Sequence, residues 1–312
     1  MKLYECISRI EDNVLSNSDR QGKAVNPLFT KQAIVNALES SLWDYAQTTL
    51  GLEGIKTYAL VSGQSKIVAP SDRIRSQQYR TIAAIVSQRW YLLEIQSQTY
   101  MKNTFFANTL GANIPTRASL WEDEIEIRPV PRSTYKQTTL DGNITATDTD
   151  IDVVSTAGFL RYGGRIHLGG EVISYESTDD TTFKGCRRGL ENTVAKIHTL
   201  GSVICEGNFW IYYNKKHWEI PMFDSSTIDP DYLTKEMEIN DVHMPAVINE
   251  TSYKLLCRVD MDRALLYRAD YKAFLEQAKW GIKEGQANQN IGSTMSNPFL
   301  FQTSAYGEPL LM

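Results

Sequence analysis

No uncharged apolar run in these 312 residues approaches the ~20 residues needed to span a bilayer. The amino terminus carries Lys2, Glu5, Arg9, Glu11 and Asp12 where a signal peptide would need an apolar stretch, so no signal peptide is expected. Cysteine is scarce. Cys6, Cys186, Cys205 and Cys257 have no metal-ligand spacing, and they read as reduced thiols of a protein made in a cytosol. Cys186 and Cys205 alone fall in one stretch where a single bridge is conceivable. Histidine is as sparse: His167, His198, His217 and His243 lie far apart, and none pairs with a cysteine or carboxylate at ligand spacing. No cofactor and no metal are therefore expected. A surplus of positive charge is missing too. The net charge of -5 gives no electrostatic basis for wrapping nucleic acid tightly.

Catalytic signatures are equally thin. Gly185-Cys-Arg-Arg-Gly189 and Tyr162-Gly-Gly-Arg165 have neither the strand-to-helix setting nor the lysine of a phosphate loop. There is no Gly-x-Ser-x-Gly elbow. Asp148, Asp150 and Asp152 alternate like a calcium loop but lack its glycine and terminal glutamate, so turn and strand positions explain them better. Glu122, Asp123, Glu124 and Glu126 crowd carboxylates as a glycosidase pair would require, and a charged strand edge accounts for them equally well.

What is present is an ordinary globular composition, 42% hydrophobic and 22% charged, over a length suited to about two domains. The middle of the chain stands apart. Residues 139–206 are rich in Thr, Gly and Asp and alternate in short runs. Ile144-Thr-Ala-Thr, Ile151-Asp-Val-Val, Arg165-Ile-His-Leu, Glu171-Val-Ile-Ser-Tyr-Glu, Thr181-Thr-Phe-Lys and Ser202-Val-Ile-Cys read as six strands of a small β-sandwich or barrel. Gly169-Gly170 is a hairpin signal, because a type I′ turn needs positive φ at both positions.

The flanks read as helical. Leu3, Ile7, Ile10 and Val14 recur at helical spacing, and so do Ile34, Leu38, Leu42 and Tyr45. A long helix is expected over about 72–101, with Ile74, Ile82, Ile85, Val86, Trp90 and Leu93 as its stripe. Downstream, Pro245 opens a helix, and Tyr267, Tyr271, Phe274 and Ala278 line another that should end at Gly281 and Gly285. Lone strands border the central stretch at 124–130 and 209–213. The expectation is an α+β chain in which a mainly helical bundle host with a short β hairpin (1–135 plus 208–285) is interrupted by an inserted β domain (136–207). Residues 286–312 form an extended C-terminal tail. It is polar and almost uncharged, yet it carries Ile291, Met295, Phe299, Leu300, Phe301, Tyr306, Leu310 and Leu311, and it reads as a segment that orders on docking to a partner.

Two resemblances follow from these residues. The central stretch resembles the small β domain inserted in many tailed-phage virion proteins, through Ile144-Thr-Ala-Thr-Asp-Thr-Asp-Ile-Asp-Val, Ser155-Thr-Ala-Gly-Phe, Gly170-Glu-Val-Ile-Ser-Tyr, Thr182-Phe-Lys-Gly-Cys-Arg-Arg-Gly and His198-x-x-Gly201. The host resembles the phage head-to-tail adaptor (connector) family, through Ile127-Arg-Pro-Val-Pro and Ile211-Tyr-Tyr-Asn as a strand pair, Leu255-Leu-Cys, Ala264-Leu-Leu-Tyr and Tyr271. The resemblance implies a virion protein, not an enzyme, made in the bacterial host cytoplasm and located in the neck between capsid and tail. It implies a homo-oligomeric ring, usually of twelve copies, whose tail docks on the portal protein. Such a ring extends the DNA channel, passes genomic DNA without binding it specifically, and gives tail nozzle or tail fibre proteins a surface to attach to. Two readings from other classes stand beside it. One is a tail-associated receptor- or glycan-binding protein using Tyr162, His167 and Tyr175; the other is a virion-associated cell-wall hydrolase using the Glu122–Glu126 cluster.

Overall fold

A computed structural model of the chain describes residues 1–15, 29–74, 79–105, 114–131, 135–222 and 227–296, with side chains for all of these except 102–105 and 281–296. The described helices are α1 (Leu3–Val14), α2 (Lys31–Thr49), α3 (Gln98–Phe105), α4 (Pro230–Leu233), α5 (Met244–Leu256) and α6 (Met261–Ser296). Two compact units emerge, one helical and one built of strands.

The helical unit comprises Met1–Glu53, Asp72–Ser76 and Asn214–Gly292. Its core is made by the apolar stripes visible in sequence: Leu3, Ile7, Ile10 and Val14 of α1, Ile34, Leu38 and Leu42 of α2, and Val247, Ile248 and Leu256 of α5. Thr30 caps α2, its hydroxyl accepting from the Ala33 N–H at 3.2 Å, and Leu50 closes it in the left-handed region at φ 54°. On α6, Ala264, Leu275 and Ala278 are buried on that core while Leu265, Leu266 and Trp280 face outward. Gly281 and Gly285 do not end this helix, which continues to Ser296. Each interior glycine costs a helix only about 1 kcal/mol relative to alanine, so glycine without a following proline is a weak stop.

The second unit draws nearly all of its described residues from Gly54–Ser71 and Gln77–Tyr213. It holds three sheets. In the first, β1 (Glu53–Tyr58), β15 (Phe209–Asn214), β3 (Thr81–Val86) and β4 (Arg89–Leu92) lie in that order. In the second the order is β2 (Lys66–Val68), β7 (Glu124–Arg128), β6 (Arg117–Trp121) and β5 (Glu94–Ile95). Ile67, Ile82, Ala84, Ala118, Ile125, Ile127, Phe209 and Ile211 of these two sheets share one core.

The third sheet is the central stretch: β8 (Gln137–Thr139), β14 (Val203–Glu206), β10 (Tyr162–Leu168), β11 (Glu171–Thr178), β12 (Thr182–Lys184) and β9 (Ile151–Asp152), with β13 (Arg187–Leu190) paired to β11. Its first and last strands meet. Leu140 bridges Val153, the Val154 N–H donates to Thr139 O and the Asp141 N–H to Asp152 O, each at 3.0 Å, so the sheet closes on itself. Leu140, Ile151, Phe159, Ile166, Leu168, Ile173, Phe183 and Ile204 fill the interior.

The expectation of a mainly helical bundle with one short hairpin is overturned. Strand and helix occur in nearly equal shares, 32% and 30%. The long helix expected over 72–101 is instead the β3–β4 hairpin followed by β5 and α3. Its apolar residues satisfy helical spacing because β3 lies between β15 and β4 and is buried on both faces: Ile82 and Ala84 enter one core, Ile85 another. The strands bordering the central stretch do not pair either. β7 pairs with β2 and β6, and β15 with β1 and β3.

Candidate functional site

Of the eight apolar residues expected to dock on a partner, Ile291 and Met295 fall on the α6 backbone. Phe299, Leu300, Phe301, Tyr306, Leu310 and Leu311 lie outside the described residues.

The most fully built polar constellation is inside the β module. Gly169 and Gly170, at φ 55° and 85°, make the tight turn between β10 and β11 and deliver Glu171 to the first position of β11. Its side chain is only 1% exposed, and five donors converge on it. Arg188 clamps it with Nε to Oε1 at 2.7 Å and Nη2 to Oε2 at 2.9 Å. The Gly189 and Lys196 N–H groups donate at 3.1 and 3.2 Å, and His198 Nε2 stands 2.9 Å away. Burial pushes the Glu171 carboxyl upward, but the bonds from Arg188, His198 and Lys196 outweigh it and hold the pKa at about 2. Arg188 also donates to Thr145 O at 2.5 Å and Lys196 O at 2.8 Å. Gly189 is required at φ 66°, since a side chain there would meet the Ala195 and Thr193 backbone near 3.0 Å. The pieces Gly170-Glu171, Arg187-Arg188-Gly189 and His198-x-x-Gly201, scattered in sequence, thus form one pin that fixes the 188–198 loop.

A second network joins the module to β1. Glu191, at φ 56°, accepts from the Thr57 N–H at 3.0 Å, the Thr57 hydroxyl at 2.6 Å and Arg165 Nη1 at 2.6 Å, with Lys56 at 3.6 Å. His167 Nε2 lies 3.2 Å from the Thr57 hydroxyl; burial lowers its pKa, with Glu191 opposing. The Arg165 guanidinium sits 5.0 Å over Trp210, which meets Trp90 edge-on at 5.1 Å.

Below this network is the neck, where the chain enters and leaves the module. The Glu206 N–H donates to Lys136 O and the Gly207 N–H to Arg165 O, both at 2.8 Å. Asn208 binds both backbone groups of Leu60, accepting from its N–H at 2.7 Å and donating to its carbonyl at 3.4 Å, and the Tyr135 N–H donates to the same carbonyl at 3.1 Å.

The other residues singled out in sequence are not brought together. Tyr162 faces outward, His167 belongs to the Thr57 network, and Tyr175 is buried against Phe183 with its hydroxyl donating to Leu160 O at 3.1 Å. Along β7, Glu124 pairs with Lys66 at 2.6 Å and Glu126 with Arg128 at 2.7 Å, while Glu122 and Asp123 form the β6–β7 turn. Asp148, Asp150 and Asp152 each have a separate partner: Thr145, the Gly185 N–H and the Thr182 hydroxyl. Among the described residues no cluster of metal-ligating side chains occurs, and the four cysteines are unpaired. Thr57 and Glu191 escaped sequence reasoning because they meet across 134 residues, and Glu206 because its environment depends on barrel closure. Glu171 had a signal: a carboxylate directly after the glycine pair, with Arg and His downstream.

No protein-family model matches the chain, and no curated protein matches it either.

Proposed function

We propose that the protein is a structural component of a tailed-phage particle: a ring-forming head-to-tail adaptor that sits under the portal, lengthens the DNA channel and offers the tail its attachment surface. The observation that carries this reading is the pin. Three of the sequence pieces that resemble the phage virion β domain, Gly170-Glu171, Arg188-Gly189 and His198, meet at Glu171, and this supports the reading. Two further features agree with it. The acidic balance suits a channel that must release DNA, since tight phosphate binding needs clustered cations. And α6, 36 residues and about 54 Å long, gives the C-terminal segment a long rigid stem.

In this reading the portal contact is made by Phe299, Leu300, Phe301, Tyr306, Leu310 and Leu311, with Ile291 and Met295 at its base. Removing residues 297–312 takes away six of these eight and leaves α6 whole. The shortened protein is expected to keep its far-ultraviolet circular dichroism and to lose co-sedimentation with portal rings of the same particle. Undiminished co-sedimentation would reject the docking role of the tail. Electron microscopy of particles, with this chain labelled, tests the ring itself.

A further inference from the structure

Glu206 is a carboxylate in the wrong place for a charge. It closes β14 opposite Ile166 of β10, so its side chain points to the same interior face as Ile166 and Leu168, and it is 5% exposed. One oxygen receives a long bond, 3.4 Å, from the Lys136 N–H; the other, Oε1, is buried with no partner. A buried carboxylate with so little hydrogen bonding is far costlier ionised than neutral. The contrast with Glu171, which has five donors in the same module, is direct.

The groups around Glu206 do not rescue its charge. From the entering strand it faces Lys136, whose side chain runs over Gly158 on the outside and whose attraction is weak. From β11 it faces Tyr175, whose ring passes over Gly164 and whose burial keeps the phenol neutral. The Cys186 thiol in the same interior is likewise pushed up to about 12 by burial. Arg165 and His167 flank Ile166 and so point to the opposite face of β10, where Arg165 is engaged by Glu191. Burial outweighs the Lys136 contributions and raises the Glu206 pKa to about 7.

Position gives this acid its consequence. Glu206 and Lys136 are the two chain crossings between the β module and the sheets it is attached to, and they are bonded to each other. Parting of these two strands would open the buried Glu206 carboxylate to water. We propose that the neck is a pH-sensitive latch: with Glu206 neutral the entering and leaving strands stay zipped, and with Glu206 ionised they separate locally.

The sign follows from linkage. In the opened neck the acid titrates near its ordinary 4.5 and in the closed neck near 7, so the closed form holds the extra proton between those values and opening grows as pH rises through them. Opening then levels off above pH 7. From pH 5.5 to 8.5 the increase is about thirtyfold. The test is hydrogen exchange of the full chain, corrected for intrinsic rate, read at the amides of Tyr135, Lys136, Glu206 and Gly207. The expected result is that thirtyfold rise in wild type, a flat response in Glu206→Gln, and a flat response in both for the amides of α2 and α5. A flat neck in wild type overturns the latch, as does an equal rise in Glu206→Gln. Should the variant not fold, the wild-type profile decides alone: a rise that stops near pH 7 supports the latch, and a featureless profile rejects it.

Discussion

Glu171 and Glu206 lie in one small barrel, have the same chemistry and titrate in opposite directions; donor count explains the difference. Removing the charge from Glu171 leaves the Arg188 guanidinium buried without its carboxylate, and loss of one partner of such a pair costs about 3–5 kcal/mol. Glu171→Gln is therefore expected to lower the unfolding free energy of the β module by an amount in that range, measured by urea titration. The wild-type module should also lose stability in acid. Its folded pKa is depressed to about 2 from an ordinary 4.5, so the unfolded chain binds the extra proton in that window and stability falls as pH drops through it. Near-ultraviolet dichroism followed from pH 5 to pH 2 would show this loss. Gly164 is a third decisive residue. A Cβ there would stand 2.2 Å from the Tyr175 hydroxyl, so Gly164→Ala is expected to destabilise the module by about 1–3 kcal/mol through overpacking, read by the same titration.

At the scale of elements, legibility followed burial geometry. The hairpin at Gly169-Gly170 was readable because the turn demanded glycine and the flanking strands alternate between interior and surface. The hairpin at Ser87-Gln88 was not. Both turn residues take positive φ, 51° and 63°, without glycine or asparagine to announce it, and β3 is buried on both faces so its period vanishes. β1 and β2 were hidden for another reason: each pairs with a strand distant in sequence, and tertiary pairing supplies what local propensity does not. The same logic left Thr57 and Glu191 unseen, since they meet across 134 residues. α1 and α2 each have one buried face and were plain. Because the barrel has its own interior and closes on itself, residues 136–207 produced alone are expected to give a dispersed amide spectrum and one cooperative melt. A collapsed, undispersed spectrum would show that the Thr57–Glu191 network is needed for folding.

For the whole molecule, the chain passes back and forth between a helical unit and a stranded unit, each with separate cores. Separate cores predict separate cooperativity. Calorimetry of the full chain should resolve more than one transition, and Glu171→Gln should move only the one that carries the β signal, leaving the helical loss at 222 nm where it was.

The meeting of Leu140 with Val153 has one more implication. A sheet left open would offer a row of free backbone donors and acceptors to any neighbouring chain, and identical copies held side by side would be the first to exploit it. In this module the edges of β8 and β9 are joined to each other instead of standing open. Copies crowded together are therefore less apt to knit into one another along that seam.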